Sequence, residues 1–294
     1  MNRLLWAAFL TGPGPSGKPK IGAVNDHLDN PLATLNWLVE AGADEAIAAE
    51  PVNRLVAKAA PAAAAPVAMP RAAPARPVPA PLPDDAIGGA MQAAASATSL
   101  AELRAAMEAF DGCALKRTAA NTVFADGVAE GRIMLIGEAP GRDEDRIGKP
   151  FVGRAGQLLD KMLASIGLDR NANAYITNVI NWRPPDNRDP SPEEAAACLP
   201  FLRRHIELAN PQLIILLGAV AARHVVGISD GIMKLRGRWL EYRVGDHMVP
   251  LMPTLHPAYL LRQPAHKKLA WRDLQAIQEK MRSLNLPEAP TRAN

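Results

Sequence analysis

RIMLIGEAPGRDEDRIGKPFVGRAGQLLDKMLASIGL, residues 132–168, decides how the rest of the chain is read. Residues 132–137 are a short aliphatic run closed by Gly137, and residues 155–168 repeat their apolar side chains at helical spacing. The stretch therefore predicts a strand, a glycine-rich turn and a helix. Three further runs repeat the theme: AYITNVI at 174–180, LIILLG at 213–218 and MVPLMPTLH at 248–256. Helical patterns separate or flank them: 99–110 with Ser99 or Thr98 as N-cap, 191–209 with Pro192 just inside its start, 219–227, and a last helix at 265–284. Near-continuous apolar strands that alternate with helices predict an α/β fold with a parallel sheet covered on both faces. Ligands of such sheets bind beyond the carboxyl ends of the strands, so the residues after each run are the first candidates for chemistry.

After the first run, glycines stand at 137, 141, 148, 153 and 156. Such a loop can bring backbone amides close to a ligand. It has no GKS or GKT and no GxGxxG, which sets aside the common phosphate and dinucleotide loops. It holds carboxylates instead: Glu138, Asp143, Glu144 and Asp145. They read either as a solvated acidic turn or as groups that act on a developing cation or a water. Asn178 ends the second run, and its amide suits a ring edge bearing both C=O and N–H. His256 ends the fourth. Alone it would read as a structural histidine. Its neighbours Tyr259, Leu260 and Leu261, flanked by Arg262, Lys267 and Lys268, suit an apolar wedge into a base stack with cations on phosphates.

Outward from this core the texture changes. Residues 59–83 hold 11 Ala and 8 Pro among 25 positions, the composition of a linker, and the reading extends it as disordered to residue 97. Residues 1–58 carry a short amphipathic helical pattern around Leu35, Leu38 and Val39, read either as a marginal helix or as a docking peptide for a protein partner. The catalytic domain is expected over 98–285, with a flexible tail at 286–294. Residues 1–100 carry 7 Lys+Arg and 8 Asp+Glu, and residues 101–294 carry 26 and 22, so the basic excess lies in the C-terminal part and permits a polyanionic partner. No apolar stretch is long enough for a membrane helix, and the chain has 2 Cys, too few for a disulfide framework. A cytoplasmic protein without membrane contact is expected.

Taken together, GEAPGRDED, KPFVGRAGQLL, YITNV with the downstream RPPDNR and PSPEE, and HPAYLLR resemble the family 4 uracil-DNA glycosylases in order and spacing. The resemblance runs from about residue 110 to 283. It implies a three-layer α/β/α sandwich around a four-stranded, mainly parallel sheet, and removal of uracil, with other deaminated bases as further substrates, from DNA by base flipping. It further implies that Glu138, Ala139 and Pro140 line the base pocket, Phe151 stacks on the base, Asn178 reads its Watson–Crick edge and His256 binds the base oxygen. Glu144 matches a second acidic position near the pocket. Glu138 and His256 are the expected catalytic pair, one at the sugar cation or its water and one at the leaving base. Arg183, Arg188, Lys234, Arg236, Arg238 and Arg262 are phosphate-contact candidates, and Tyr259–Leu261 the wedge. The alternative is a module that grips damaged or abasic DNA with little turnover.

One departure stands out. The family usually holds a 4Fe-4S cluster on four cysteines. Here Cys113 and Cys198 occupy two of those places, and Phe110 and Trp182 the others. Two thiolates cannot supply Cys₄ ligation, so no cluster or other metal is expected, with the two rings filling its volume.

Overall fold

The computed structural model describes residues 84–289. The amphipathic pattern of residues 1–58 and the linker up to residue 83 lie outside them. The chain runs α1 (Asp84–Ser96), α2 (Leu100–Ala109), β1 (Asp126–Gly127), β2 (Ile133–Gly137), α3 (Arg142–Ile147), α4 (Arg154–Ala164), β3 (Ala174–Asn178), α5 (Pro192–Ala209) and β4 (Leu213–Leu217). It continues with α6 (Ala219–Val226), α7 (Ile232–Leu235), β5 (Leu240–Val244), β6 (His247–Thr254), α8 (Pro257–Arg262) and α9 (Lys267–Ser283). Among the described residues no helix is long and apolar enough to cross a membrane.

The sheet has six strands in the order β1-β3-β2-β4-β6-β5, which corrects the expected four. The four expected runs are its centre, and β3, β2, β4 and β6 are parallel neighbours. An antiparallel strand closes each edge, β1 on β3 and β5 on β6. β1 escapes a pattern search because it has two residues. β5 (LEYRV) escapes it because its side chains alternate between half-buried and exposed, as an edge strand's do.

Side chains of each central strand alternate between two cores, as the pleat requires. Met134, Ile136, Ile214, Leu216 and Leu251 join one face, packed with residues of α1, α2 and α5. Ile133, Leu135, Ile176, Ile215 and Met252 join the other, packed with residues of α4 and α9. Helix ends follow the local chemistry. Ser99 caps α2 by accepting from the Glu102 N–H. Ser191 and Glu194 form a reciprocal capping box ahead of Pro192 in α5.

Two boundaries are corrected. Residues 84–96, expected as linker, form α1, because the prolines stop at Pro83 and the small side chains of Ala86, Ala90, Ala94 and Ala97 present one buried face. Residues 286–289, expected as tail, are pinned. Leu286 is buried, the Pro287 carbonyl accepts from Asn173 Nδ2 at 2.7 Å, and the Ala289 N–H donates to the Gly167 carbonyl at 2.7 Å.

After β2 the chain crosses to β3 on one side, and later to β4 on the other. The strand order thus reverses at β2, which creates a switch point, and its carboxyl-end crevice opens between these neighbours.

Candidate active site

A cavity of about 320 Å³ lies at that crevice. Its wall includes Glu138, Phe151, Asn178 and His256, with Ala139, Pro140, Glu144 and Arg262 beside them. Side chains spread along the chain from residue 138 to residue 256 therefore meet at one opening. Three strand ends make this possible: Gly137 and Asn178 are register partners at the ends of β2 and β3, and His256 follows β6.

Asn178 is 2% exposed, yet its Oδ1 has no hydrogen-bond partner among the described residues. A buried, unmet acceptor is costly, which points to a donor supplied by a ligand. Gly137 makes room for this arrangement. A Cβ there would collide with Asn178 Oδ1 and with the Phe151 ring. Phe151 is 6% exposed and adopts φ 53°, a left-handed conformation unusual for a bulky residue, and its ring lies 5.5 Å from the His256 imidazole.

His256 caps α8. The Ala258 N–H donates to its Nδ1 at 3.1 Å. With Nδ1 accepting, the ring proton resides on Nε2, and a neutral imidazole presents one N–H as donor. Burial, helped by the Arg262 charge, pushes the pKa of His256 down to about 4, so the neutral form prevails near pH 7. The pKa of Glu138 moves the other way. Burial raises it, with Asp189 adding to the rise, while Arg223 and Arg262 oppose it.

The remaining candidates divide by what they touch. Glu144 lines the cavity, but its Oε1 accepts from the Val152 and Gly153 N–H groups at 2.9 Å each, so it orders the loop around Phe151. Of the acidic turn, Asp145 is buried and accepts from the Ala120 and Asn121 N–H groups. Arg188 lines the cavity while pairing with Glu194 at 2.6 Å. Arg183 is tied to Asn187 Oδ1 at 2.8 Å, and Lys234 and Arg238 are exposed.

Arg236 is a correction. Its guanidinium is bound to buried Asp273 and to the Leu269 carbonyl, and Asp273 also accepts from Thr254 Oγ1 at 2.7 Å, so it is a latch between the loop and β6 rather than a free phosphate ligand. Leu260 is a second correction. It is 0% exposed, because its place in α8 turns it into the core, which leaves Leu261, 37% exposed, at the surface. Tyr259 is partly buried, with its hydroxyl 2.7 Å from His266 Nδ1. Sequence reasoning missed Asn187 in the wall and the charges of Asp189 and Arg223 acting on Glu138. Asn187 stands within RPPDNR, where its residue type alone assigns it no role, and the fold alone brings Asp189 and Arg223 near Glu138.

The four places of the family's cluster do not fit one. Cys113 and Cys198 are both buried and free of any disulfide. The Phe110 ring packs 5.1 Å from Phe201, and Trp182 is 1% exposed with its Nε1 donating to Thr122 Oγ1 at 3.0 Å. Rings occupy the space where two thiolates would be needed. Among the described residues no group of three or more His, Cys, Asp or Glu is placed to hold a metal ion.

Comparison with known proteins agrees with this geometry. Residues 124–275 match the family described as Uracil DNA glycosylase superfamily. The chain is 44% identical to a type-4 uracil-DNA glycosylase of Thermotoga maritima over 156 residues, 53% of this chain and 79% of the relative. It is 42% identical to the type-4 enzyme of Archaeoglobus fulgidus over 171 residues, 57% and 85% of the two chains. For the Sulfurisphaera tokodaii type-4 enzyme the identity is 38% over 172 residues, 57% and 78%. With the fold, the crevice and these relatives in agreement, the chain belongs to the type-4 uracil-DNA glycosylases of that superfamily.

Proposed function

We propose that this chain hydrolyses the N-glycosidic bond of uracil in DNA, the step that opens base excision repair. The unmet Asn178 Oδ1, walled in beside an aromatic ring and an imidazole N–H, carries the reading most directly. It offers uracil's N3–H an acceptor while the amide's Nδ2 donates to O4. A base inside a duplex cannot enter such a crevice, so the nucleotide turns out of the stack, at a cost of a few kcal/mol.

The chemistry then needs two charges met. As the bond between C1′ and N1 breaks, its electron pair leaves with the base and positive charge grows on the sugar. The neutral His256 donates from Nε2 to the base oxygen, where negative charge gathers, and the tautomer fixed by the Ala258 N–H makes that donation available before reaction. Glu138 stands toward the sugar, stabilises the cation and receives the proton of the water that adds to C1′. Once N1 of the departed base takes up that proton, the products are free uracil and an abasic site. Phe151 covers the base, Ala139 and Pro140 border it, and Glu144 holds the covering loop. Arg262, Arg183, Lys234 and Arg238 are the phosphate contacts of this reading, with Arg188 at the cavity wall and Leu261 as the side chain that fills the gap in the stack. The three-layer sandwich supports the crevice from both faces. No iron-sulfur cluster takes part, because the aromatic replacements leave two cysteines where four would be required.

The test is release of free uracil from end-labelled oligonucleotides, single- and double-stranded, followed over many turnovers. Repeated release carries the reading. Tight binding to uracil or abasic DNA with less than one turnover would replace it by that of a DNA-binding module.

A further inference from the structure

Phe151 has to be held. Its φ of 53° is a conformation that a phenylalanine rarely adopts, and its ring must stay over Gly137 beside Asn178 and His256. The backbone holding it is gripped from two sides. Glu144 takes the amides of Val152 and Gly153. On the other side Arg170, in the loop between α4 and β3, donates from Nη2 to the Phe151 carbonyl at 2.8 Å and from Nη1 to the Pro150 carbonyl at 3.2 Å. Its side chain is 11% exposed and is itself fixed by Asp126 at 3.1 Å and Asp160 at 2.8 Å. Asp126 belongs to the two-residue edge strand β1, and Asp160 to α4. Gly156 completes the fit, since a Cβ there would overlap the Phe151 carbonyl that accepts from Arg170.

We propose that Arg170, clamped by Asp126 and Asp160, is a positioning residue for the aromatic lid of the base pocket. It touches neither base nor sugar. It fixes two consecutive carbonyls with a planar fork, which a point-like ammonium cannot imitate, and so sets where the Phe151 ring rests. Residues 126, 160 and 170 thus form a support that links the sheet edge and α4 to the cavity. This inference rests on the glycosylase reading for its kinetic arm and on geometry alone for its spectroscopic arm.

The experiment compares wild type, Arg170→Ala, Arg170→Lys, Phe151→Ala and the double variant Arg170→Ala/Phe151→Ala in single-turnover uracil release and in inhibition by free uracil. Melting temperature and the ring-to-ring NOE between Phe151 and His256 are read on the same samples. Phe151→Ala should lower the rate about ten- to a hundredfold, the range that stacking a base on a ring supplies. Arg170→Ala should lower it about tenfold, weaken free-uracil inhibition in parallel, and add nothing when Phe151 is already absent, as expected for groups acting through one another. Arg170→Lys keeps a cation between the two aspartates, so it should retain the fold while losing the NOE. Multiplying losses in the double variant, or an NOE and uracil inhibition unchanged in Arg170→Lys, would overturn the assignment. A wild-type protein that keeps the NOE but releases no uracil would overturn the glycosylase reading and leave the support standing.

Discussion

Asn178 and Trp182 are four residues apart, at and just beyond the end of the same strand, and they have opposite fates. Asn178 lines the cavity and keeps a buried oxygen without a partner among the described residues. Trp182 is equally buried, but its one polar atom is met by Thr122 and its ring is packed among aliphatic and aromatic side chains. The same contrast divides His256 from His205. His256 borders the cavity with its Nδ1 engaged by the Ala258 N–H, whereas His205 lies in the core, stacked 4.3 Å on Phe124 with its Nε2 2.9 Å from the Tyr175 hydroxyl. One side of β3 holds polar capacity in reserve for a ligand. On the other side the Trp182 and His205 contacts bind the structure together.

The strongest way to break this division is at Glu138. Glu138→Gln should lower the single-turnover rate of uracil release about 10²- to 10⁴-fold, the contribution of a positioned acid or base, with DNA affinity little changed by filter binding. A comparable loss of affinity would move Glu138 from the chemistry to the binding surface. Trp182→Ala addresses the packed side. It should cost about 3–5 kcal/mol of unfolding free energy in urea titration, while uracil release per folded molecule stays near wild type. Lost activity at full folding would join the two regions that the contrast separates.

Acid titration sharpens the comparison of the histidines. Burial lowers the pKa of His205 to about 3, and that of His256 lies at about 4. Unfolded, both bind a proton near the ordinary value of about 6.5. Between roughly pH 6.5 and 4 the unfolded chain therefore holds more protons than the folded one, so these two groups make stability fall as the pH drops through that window. His205→Gln should flatten the urea midpoint against pH over this range. An unaltered slope would mean that His205 does not remain neutral when folded.

The smallest expected effect is on the pH profile of uracil release. Glu138 must be ionised, and its pKa is raised, so the acid limb should lie above the ordinary carboxylate value of 4.5. Arg262 opposes that rise, hence Arg262→Ala should shift the limb further up in single-turnover rates. An unmoved limb would place Arg262 away from Glu138 in the working enzyme.

The four central strands were legible in the sequence because each is a short run rich in β-branched or large aliphatic side chains between turn residues. β1 and β5 were not, one being too short for any period and the other half exposed. α1 was hidden by composition, since its alanines continue the linker's and only the last proline, Pro83, marks the change. The candidate site was legible in part from strand ends, since Glu138, Asn178 and His256 close or follow strands and line one cavity with Phe151 from the loop after α3. It was illegible where a residue's partner is distant in the chain. Arg236 looks like Lys234 and Arg238 until Asp273 is seen beneath it. Leu260 and Leu261 differ only in which way α8 turns them. Arg170 carried no signal, because a carbonyl leaves no trace in a sequence.

The hydrogen bond from Ala258 to His256 has a consequence of its own. The nitrogen that carries the imidazole's hydrogen is selected by main chain, so nearly every replacement at position 258 would preserve the selection. Proline is the exception. It fits the first turn of a helix yet brings no N–H, so Ala258→Pro would release the ring to exchange tautomers and blunt its donation without altering a single functional side chain.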